Sequence, residues 1–168
     1  EWESNIFGIQ EGTHMLQGSY NDANWHHYAV QISDDVLSVF LDGVKLYEET
    51  VSEASPNFFD FSGPFTNLLI GANSDQQSSF FKGLISEMKI SSVAQYSDNF
   101  NPDSLRADES TVSLWKFNAN SGDVLYDLSG NENHGAIYGD PIWTTDVPAL
   151  YGQAGLIVGT SYTTEFDL

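Results

Sequence analysis

Apolar and polar residues alternate with a period of two along much of the chain, and the three- and four-residue spacing of amphipathic helices is nearly missing. In Trp25–Ser33 the residues Tyr28 and Val30 alternate with His27 and Ala29, which predicts a strand covered on both faces. Further predicted strands are Leu68–Gly71, Phe80–Ile90, Thr111–Phe117, Val124–Tyr126, Ala136–Tyr138 and Leu156–Val158. The pattern predicts an all-β protein.

The clearest local signal is the pair Asp42 and Gly43, which separates two alternating apolar runs. A two-residue Asp-Gly loop favours a type I′ hairpin, because both of its residues take positive φ. The predicted cross-strand pairs are Leu41 with Val44 and Val39 with Leu46.

Between the strands, two segments are polar and rich in turn-forming residues: Val51–Pro64 predicts a long loop and Asn73–Ser79 a turn. The segment Val93–Asn99 predicts a single helical turn that ends before Pro102. The length fits one domain of residues 1–146, followed by an extension or the start of a further segment at 147–168.

Acidic residues dominate the charge, with 24 Asp and Glu against 5 Lys and Arg and a formal net charge of -19. Such a field repels phosphate backbones and anionic lipids, so nucleic acid and membrane-surface partners are not expected. Membrane insertion is not expected either, because no apolar stretch approaches the roughly 18 residues of a membrane span. Excess carboxylates keep a protein soluble in extracellular fluid and can also supply oxygen ligands to Ca²⁺. Cysteine is absent, which excludes disulfides and thiolate metal sites.

Several segments, taken in order, resemble the laminin-G-like jelly roll of the concanavalin A-like lectin and glucanase class. The strand Trp25–Val30 resembles the family's "WHHVAV" segment, and Asp127–Gly135 resembles its "D.SGN.NHG" segment. The other similar segments are Val39–Val44, Leu69–Ala72, Phe81–Ile90, Ala94–Pro102 and Leu114–Phe117. The resemblance implies a two-sheet antiparallel jelly-roll sandwich that acts outside the cell or at its surface.

The family's opening strands have no counterpart before Trp2, so the domain is expected to be incomplete at its N-terminal side. A sandwich without those strands would expose a sheet edge and an apolar face. The expectation is that an upstream segment or a neighbouring chain completes it.

For a metal, Asp127, Ser129, Asn131 and Asn133 offer carboxylate, hydroxyl and amide oxygens in one Gly-containing loop, and Ca²⁺ takes six to eight such ligands. The alternative is a network of Asx turns without an ion. The resemblance implies Ca²⁺ at this type of loop in many members. Glu87 is a further candidate ligand.

Catalytic and zinc chemistry are not indicated by the sequence. His26 and His27 are neighbours on a predicted strand and point to opposite faces, so they cannot share one zinc ion. The Glu-x-Asp-x-x-Glu triplet of related glucanases is missing, and Ile85 and Lys89 are the same-face neighbours of Glu87. No catalytic residue is predicted.

The predicted function is a non-catalytic carbohydrate-binding or adhesion module, stabilised by Ca²⁺, whose partner is a glycan or a protein on a cell surface or matrix. Its recognition rim is expected on the two loops, with the ligand-binding residues Phe58, Phe59, Asp60, Asn73 and Asp75. The alternatives are a structural segment of an extracellular filament or surface assembly, and an accessory part of a polysaccharide-degrading enzyme.

Overall fold

The computed structural model describes residues 24–50, 68–71, 81, 83–119, 121–139, 142–144 and the strand at 164–166. In these residues the strands are β1 (Tyr28–Ser33), β2 (Val36–Leu41), β3 (Val44–Thr50), β4 (Leu68–Ile70), β5 (Glu87–Ser91), β6 (Thr111–Lys116), β7 (Val124–Leu125), β8 (Gly135–Ile137) and β9 (Thr164–Phe166). Every strand pairing is antiparallel, and the described residues contain no helix. The predicted all-β antiparallel class is confirmed.

The strands form three sheets, in the orders β1-β2-β3, β4-β9-β8-β7 and β5-β6. The chain divides into two compact units. Of the described residues, 24–50 and 96–102 belong to the first unit, and those of 68–95 and from 103 onward belong to the second. Each unit therefore contains segments that are distant in the sequence.

In the first unit, β2 is the central strand and is buried from Leu37 to Leu41. Phe40 is completely buried and lies edge-on to Tyr96, with the ring centroids 5.8 Å apart. Tyr96 in turn stacks on Phe100 with centroids 3.6 Å apart. Burial raises the pKa of the Tyr96 hydroxyl. The core of this unit is thus largely aromatic.

The predicted Asp-Gly hairpin is confirmed in its turn, where Asp42 has a φ of 50° and Gly43 a φ of 77° and Leu41 pairs with Val44. The predicted pairing of Val39 with Leu46 is wrong. A β-bulge after the Phe40–Lys45 pair leaves Leu46 as the extra residue, and Val39 pairs with Tyr47 instead, so the alternation seen in the sequence shifts by one residue.

The predicted helical turn at Val93–Asn99 is wrong, because this segment has an irregular backbone. The backbone groups of Tyr96 bond to the side-chain amide of Gln31, at 2.5 and 3.1 Å. Further along, the Phe100 N–H donates to the Gly43 carbonyl at 2.9 Å. These long-range hydrogen bonds replace the local ones that a helical turn requires.

In the second unit, the four-stranded sheet and the β5-β6 pair share one apolar core. Its buried members are Ile70, Trp115, Phe117 and Leu125, and the partly buried Leu68, Ile85, Met88, Ile90, Ile137 and Trp143 pack against them. Two antiparallel sheets that enclose a common core form the layers of a β-sandwich. Strand β5 is shorter than the predicted Phe80–Ile90 because its partner β6 ends at Lys116, opposite Glu87.

Several expectations lie outside the described residues: the loop at Val51–Pro64, the turn at Asn73–Ser79, the strand at Leu156–Val158 and the domain boundary at residue 146. The strand β9 was not predicted. In the part of the chain that the structure describes, no helix has the length and apolar character needed to cross a membrane.

We expect Gly43→Ala to lower the free energy of unfolding by about 2 kcal/mol or more, measured by chemical denaturation. An added Cβ would lie 1.9 Å from the Phe100 carbonyl oxygen, and the φ of 77° already disfavours any side chain. The matched control is Gly122→Ala, since Gly122 has a φ of 97° with open space around it. That variant should lose only about 1 kcal/mol. Equal losses in the two variants would contradict the close approach at Gly43.

Candidate functional site

The loop of residues 127–134 is organised around the buried carboxylate of Asp127, which is 7% exposed. Its Oδ1 accepts the N–H of Leu114 at 2.8 Å and that of Ser129 at 2.9 Å. Its Oδ2 accepts the Ser129 hydroxyl at 2.6 Å and the Asn133 N–H at 3.1 Å. Four donors around one carboxylate satisfy its acceptor positions without a counter-ion.

Strand β6 positions this loop from one side. Asp127 forms a β-bridge with Trp115, and the Leu128 N–H donates to the Leu114 carbonyl at 2.7 Å. The indole N–H of the completely buried Trp115 donates to the Asn133 carbonyl at 2.9 Å. The loop is therefore fixed to the core of the second unit.

Asn131 and Asn133 attach the loop to β6 through their side-chain amides. Asn131 Nδ2 donates to the carbonyls of Thr111 and Val112 at 3.0 and 2.9 Å. Asn133 Nδ2 donates to the Val112 carbonyl at 3.1 Å and to the Ser113 hydroxyl at 3.0 Å. In both side chains the amide nitrogen, not the oxygen, faces the backbone oxygens of the strand.

Two residues with positive φ allow the loop to turn this tightly. Gly130 has a φ of 94°, which glycine adopts without strain. Glu132 has a φ of 62°, in a region that non-glycine residues seldom occupy. Backbone strain of this kind persists only where surrounding contacts hold it, and here the Asp127 hydrogen bonds do so.

The ionisation of Asp127 reflects two opposing effects. Burial raises the pKa of this carboxyl, but the hydrogen bonds from Leu114, Ser129 and Asn133 outweigh burial and hold the pKa below its ordinary value. The charged form is therefore the one that the loop stabilises.

Glu87 belongs to a different network. Its side chain is 6% exposed, and its Oε1 lies 2.9 Å from Lys116 Nζ in an ion pair. The same oxygen accepts the Ser104 hydroxyl at 2.8 Å, and Oε2 accepts the Leu105 N–H at 2.6 Å. Glu87 thus attaches the 104–105 segment to the β5-β6 pair.

As arranged, the predicted metal ligands do not fit a Ca²⁺ site. The acceptor positions of Asp127 are filled by donors, the amide nitrogens of Asn131 and Asn133 face oxygens, and Glu87 is paired with Lys116. No group of three or more His, Cys, Asp or Glu side chains comes together in the described residues. The hydrogen bonding favours the alternative of an Asx-turn network, and calcium binding stays a prediction.

The predicted ligand-binding residues Phe58, Phe59, Asp60, Asn73 and Asp75 lie outside the residues that the structure describes. Their role stays a prediction.

Beyond the sequence prediction, the structure brings Tyr126 and His134 together next to the Asp127 loop. Their ring centroids are 5.1 Å apart in an edge-to-face arrangement. The β7-β8 register, in which Leu125 pairs with Gly135, places Tyr126 and His134 opposite each other. The sequence signal for Tyr126 was the apolar island at Val124–Tyr126, and no binding role was predicted for His134.

A family model described as the concanavalin A-like lectin/glucanases superfamily, of the laminin G type, matches residues 5–99, more than half of the chain. The chain belongs to this superfamily. The family predicted from the sequence is therefore confirmed, and the antiparallel sheets agree with it. The matched region includes Glu87 but ends before the Asp127 loop. Neither the comparison with curated proteins nor that with solved structures gives a significant match.

We expect Asp127→Asn to lower the free energy of unfolding at neutral pH by about 2 kcal/mol or more, because an amide nitrogen would face buried donors. The lowered pKa stabilises the fold fully above the unfolded value of about 4, and this stabilisation is lost as the pH falls through the folded-state value. The difference between wild type and variant should therefore shrink in acid. Chemical denaturation at several pH values measures this difference in unfolding free energy. The control variant is Asp123→Asn, because Asp123 is exposed. If the difference in unfolding free energy between wild type and variant stayed constant from neutral pH to strong acid, the stabilising role of the Asp127 charge would be disproved.

Calcium binding is tested by melting the protein in millimolar Ca²⁺ and in EDTA. A rise in Tm with Ca²⁺ that disappears in Asp127→Asn would confirm the predicted site. From the hydrogen bonding we expect equal Tm values in the two buffers, since Ca²⁺ would have to displace several donors from Asp127.

Proposed function

We propose that this chain is a non-catalytic binding module that recognises a glycan or a protein on a cell surface or in a matrix. Membership of the concanavalin A-like superfamily, which contains both lectins and glucanases, is the observation that carries the proposal. The choice between binding and hydrolysis then depends on the carboxylates.

Hydrolysis of a glycosidic bond uses two carboxyl groups roughly 5 to 9 Å apart that can reach the substrate. Glu87, the acid in the Phe81–Ile90 segment that resembles the family, is nearly buried and paired with Lys116. The ion pair with Lys116 and the two hydrogen bonds from Ser104 and Leu105 occupy three acceptor positions of this buried carboxylate, which restricts its access to a substrate proton or a sugar carbon. This arrangement supports binding over catalysis.

An extracellular location is part of the proposal and is supported by the family and by the acidic charge. A net charge of -19 opposes binding to nucleic acid and to anionic membrane surfaces. No step of the proposed function uses a bound metal ion.

The proposal is tested by screening the protein on a glycan array and then incubating it with each polysaccharide that it binds. We expect retention without release of new reducing ends. Glu87→Gln should leave binding unchanged while lowering the free energy of unfolding by about 1 to 3 kcal/mol, because the ion pair with Lys116 is lost.

The matched control is Glu109→Gln, since Glu109 is exposed and should tolerate the change. Polysaccharide cleavage that disappears in Glu87→Gln would overturn the proposal and make the chain an enzyme. Failure of the wild type to bind any glycan or surface protein would also contradict it.

A further inference from the structure

Side chains alternate sharply between core and solvent where β7 runs into the Asp127 loop. Leu125 is 1% exposed and Asp127 is 7% exposed, whereas Tyr126 between them is 60% exposed. His134, opposite Tyr126 in the hairpin register, is exposed as well. The outward face of this hairpin therefore presents two rings to solvent, and we call this pair the Tyr126–His134 platform.

The platform is held in place by its own backbone. The Asp127 N–H donates to His134 Nδ1 at 3.1 Å, and the His134 N–H donates to the Glu132 carbonyl at 2.8 Å. Because Nδ1 accepts a hydrogen bond, the neutral imidazole carries its proton on Nε2. The rings of His134 and Tyr126 then pack in an edge-to-face contact, with centroids 5.1 Å apart. Both rings are positioned before any ligand arrives, which reduces the entropy lost on binding.

We propose that the Tyr126–His134 platform binds the apolar face of an uncharged sugar ring, with Tyr126 as the stacking surface and His134 Nε2 as a hydrogen-bond donor to a hydroxyl. The assignment rests on the proposed binding function and gives it a site and a ligand class. It lies beyond the residues that match the family.

The small area of the platform favours a sugar over a protein as the ligand. A stable protein interface buries about 1,200 Å² or more in total, whereas this hairpin has strands of two and three residues. A flat ring flanked by a polar donor matches a sugar, which has an apolar face and hydroxyl groups at its edge.

Charge selects uncharged sugars over sulfated or uronic ones. In the described part of the second unit, each basic side chain is paired with a carboxylate: Lys89 with Asp108 at 2.5 Å, Lys116 with Glu87 at 2.9 Å and Arg106 with Asp103 at 3.8 Å. The Lys89 ammonium holds the pKa of Asp108 well below its ordinary value, which keeps this carboxyl in its charged form. Next to the platform, the exposed Glu132 adds negative charge.

The test uses the whole chain on an array of uncharged, sulfated and uronic-acid oligosaccharides, with poly-L-lysine as a basic polymer. The strongest oligosaccharide is then titrated against the variants by calorimetry. Tyr126→Ala should weaken binding about tenfold or more, and Tyr126→Phe should keep the affinity within about twofold because the ring remains. His134→Ala should also weaken binding.

The matched control is Tyr138→Ala, because Tyr138 is 50% exposed near the other end of β8. It should keep the wild-type affinity. Thermal melting checks the fold, and Tyr126→Leu, which keeps an apolar side chain without the aromatic ring, is a second variant in case Tyr126→Ala lowers Tm.

The remaining possible results test the platform, the ligand class and the proposed function separately. Sugar binding that is unchanged in Tyr126→Ala, or equally weakened in Tyr138→Ala, overturns the platform and leaves the proposed function intact. Binding restricted to sulfated or uronic sugars, or to poly-L-lysine, overturns the ligand class. A wild type that binds no sugar overturns the platform and the glycan part of the proposed function, and leaves recognition of a protein as the remaining part.

Discussion

The buried carboxylate of Asp127 is the interaction on which the described part of the second unit most depends. It joins β6 to the loop that connects β7 and β8, through donors on Leu114, Ser129 and Asn133. A buried charge that lost these donors would carry a large desolvation penalty. Since β6 also pairs with β5 and supplies the buried Trp115, the same carboxylate connects the two sheets that share the core.

The acidic composition explains why backbone and hydroxyl donors satisfy this charge. With 24 acids and 5 bases in the chain, few carboxylates can have a cationic partner. The described ion pairs hold particular segments in place: Lys116 and Glu87 fix the 104–105 segment, and Lys89 and Asp108 connect β5 with the turn before β6. Asp127 is satisfied by N–H and O–H groups, which keeps the basic side chains available for these links.

How much the sequence could predict depended on whether the deciding interaction was local. The turn at Asp42 and Gly43 was predictable because two adjacent residues determine its φ values. The bulge at Leu46 and the irregular backbone at Tyr96 were not, because backbone N–H groups there bond to side chains far along the chain, that of Lys45 to Asn99 and that of Tyr96 to Gln31. The sequence identified the candidate loop by its oxygen-rich residues, but it could not show that Asn131 and Asn133 turn their amide nitrogens toward β6. Glu87 was predicted as a metal ligand, and its ion pair was not foreseen because Lys116 lies 29 residues away.

The same hydrogen bonds that disfavour a metal in the Asp127 loop make its neighbours suited to binding. A side chain recognises a ligand well when its position is fixed before binding and its surface stays accessible. Asp127 directs its carboxylate into the protein and its N–H to the imidazole of His134, so one residue anchors the loop and orients the exposed ring. Tyr126 precedes it and must point outward, because neighbouring residues on a strand face opposite sides. The buried network and the exposed platform are therefore two consequences of one strand geometry, and a change that disrupts the first should also disorder the second.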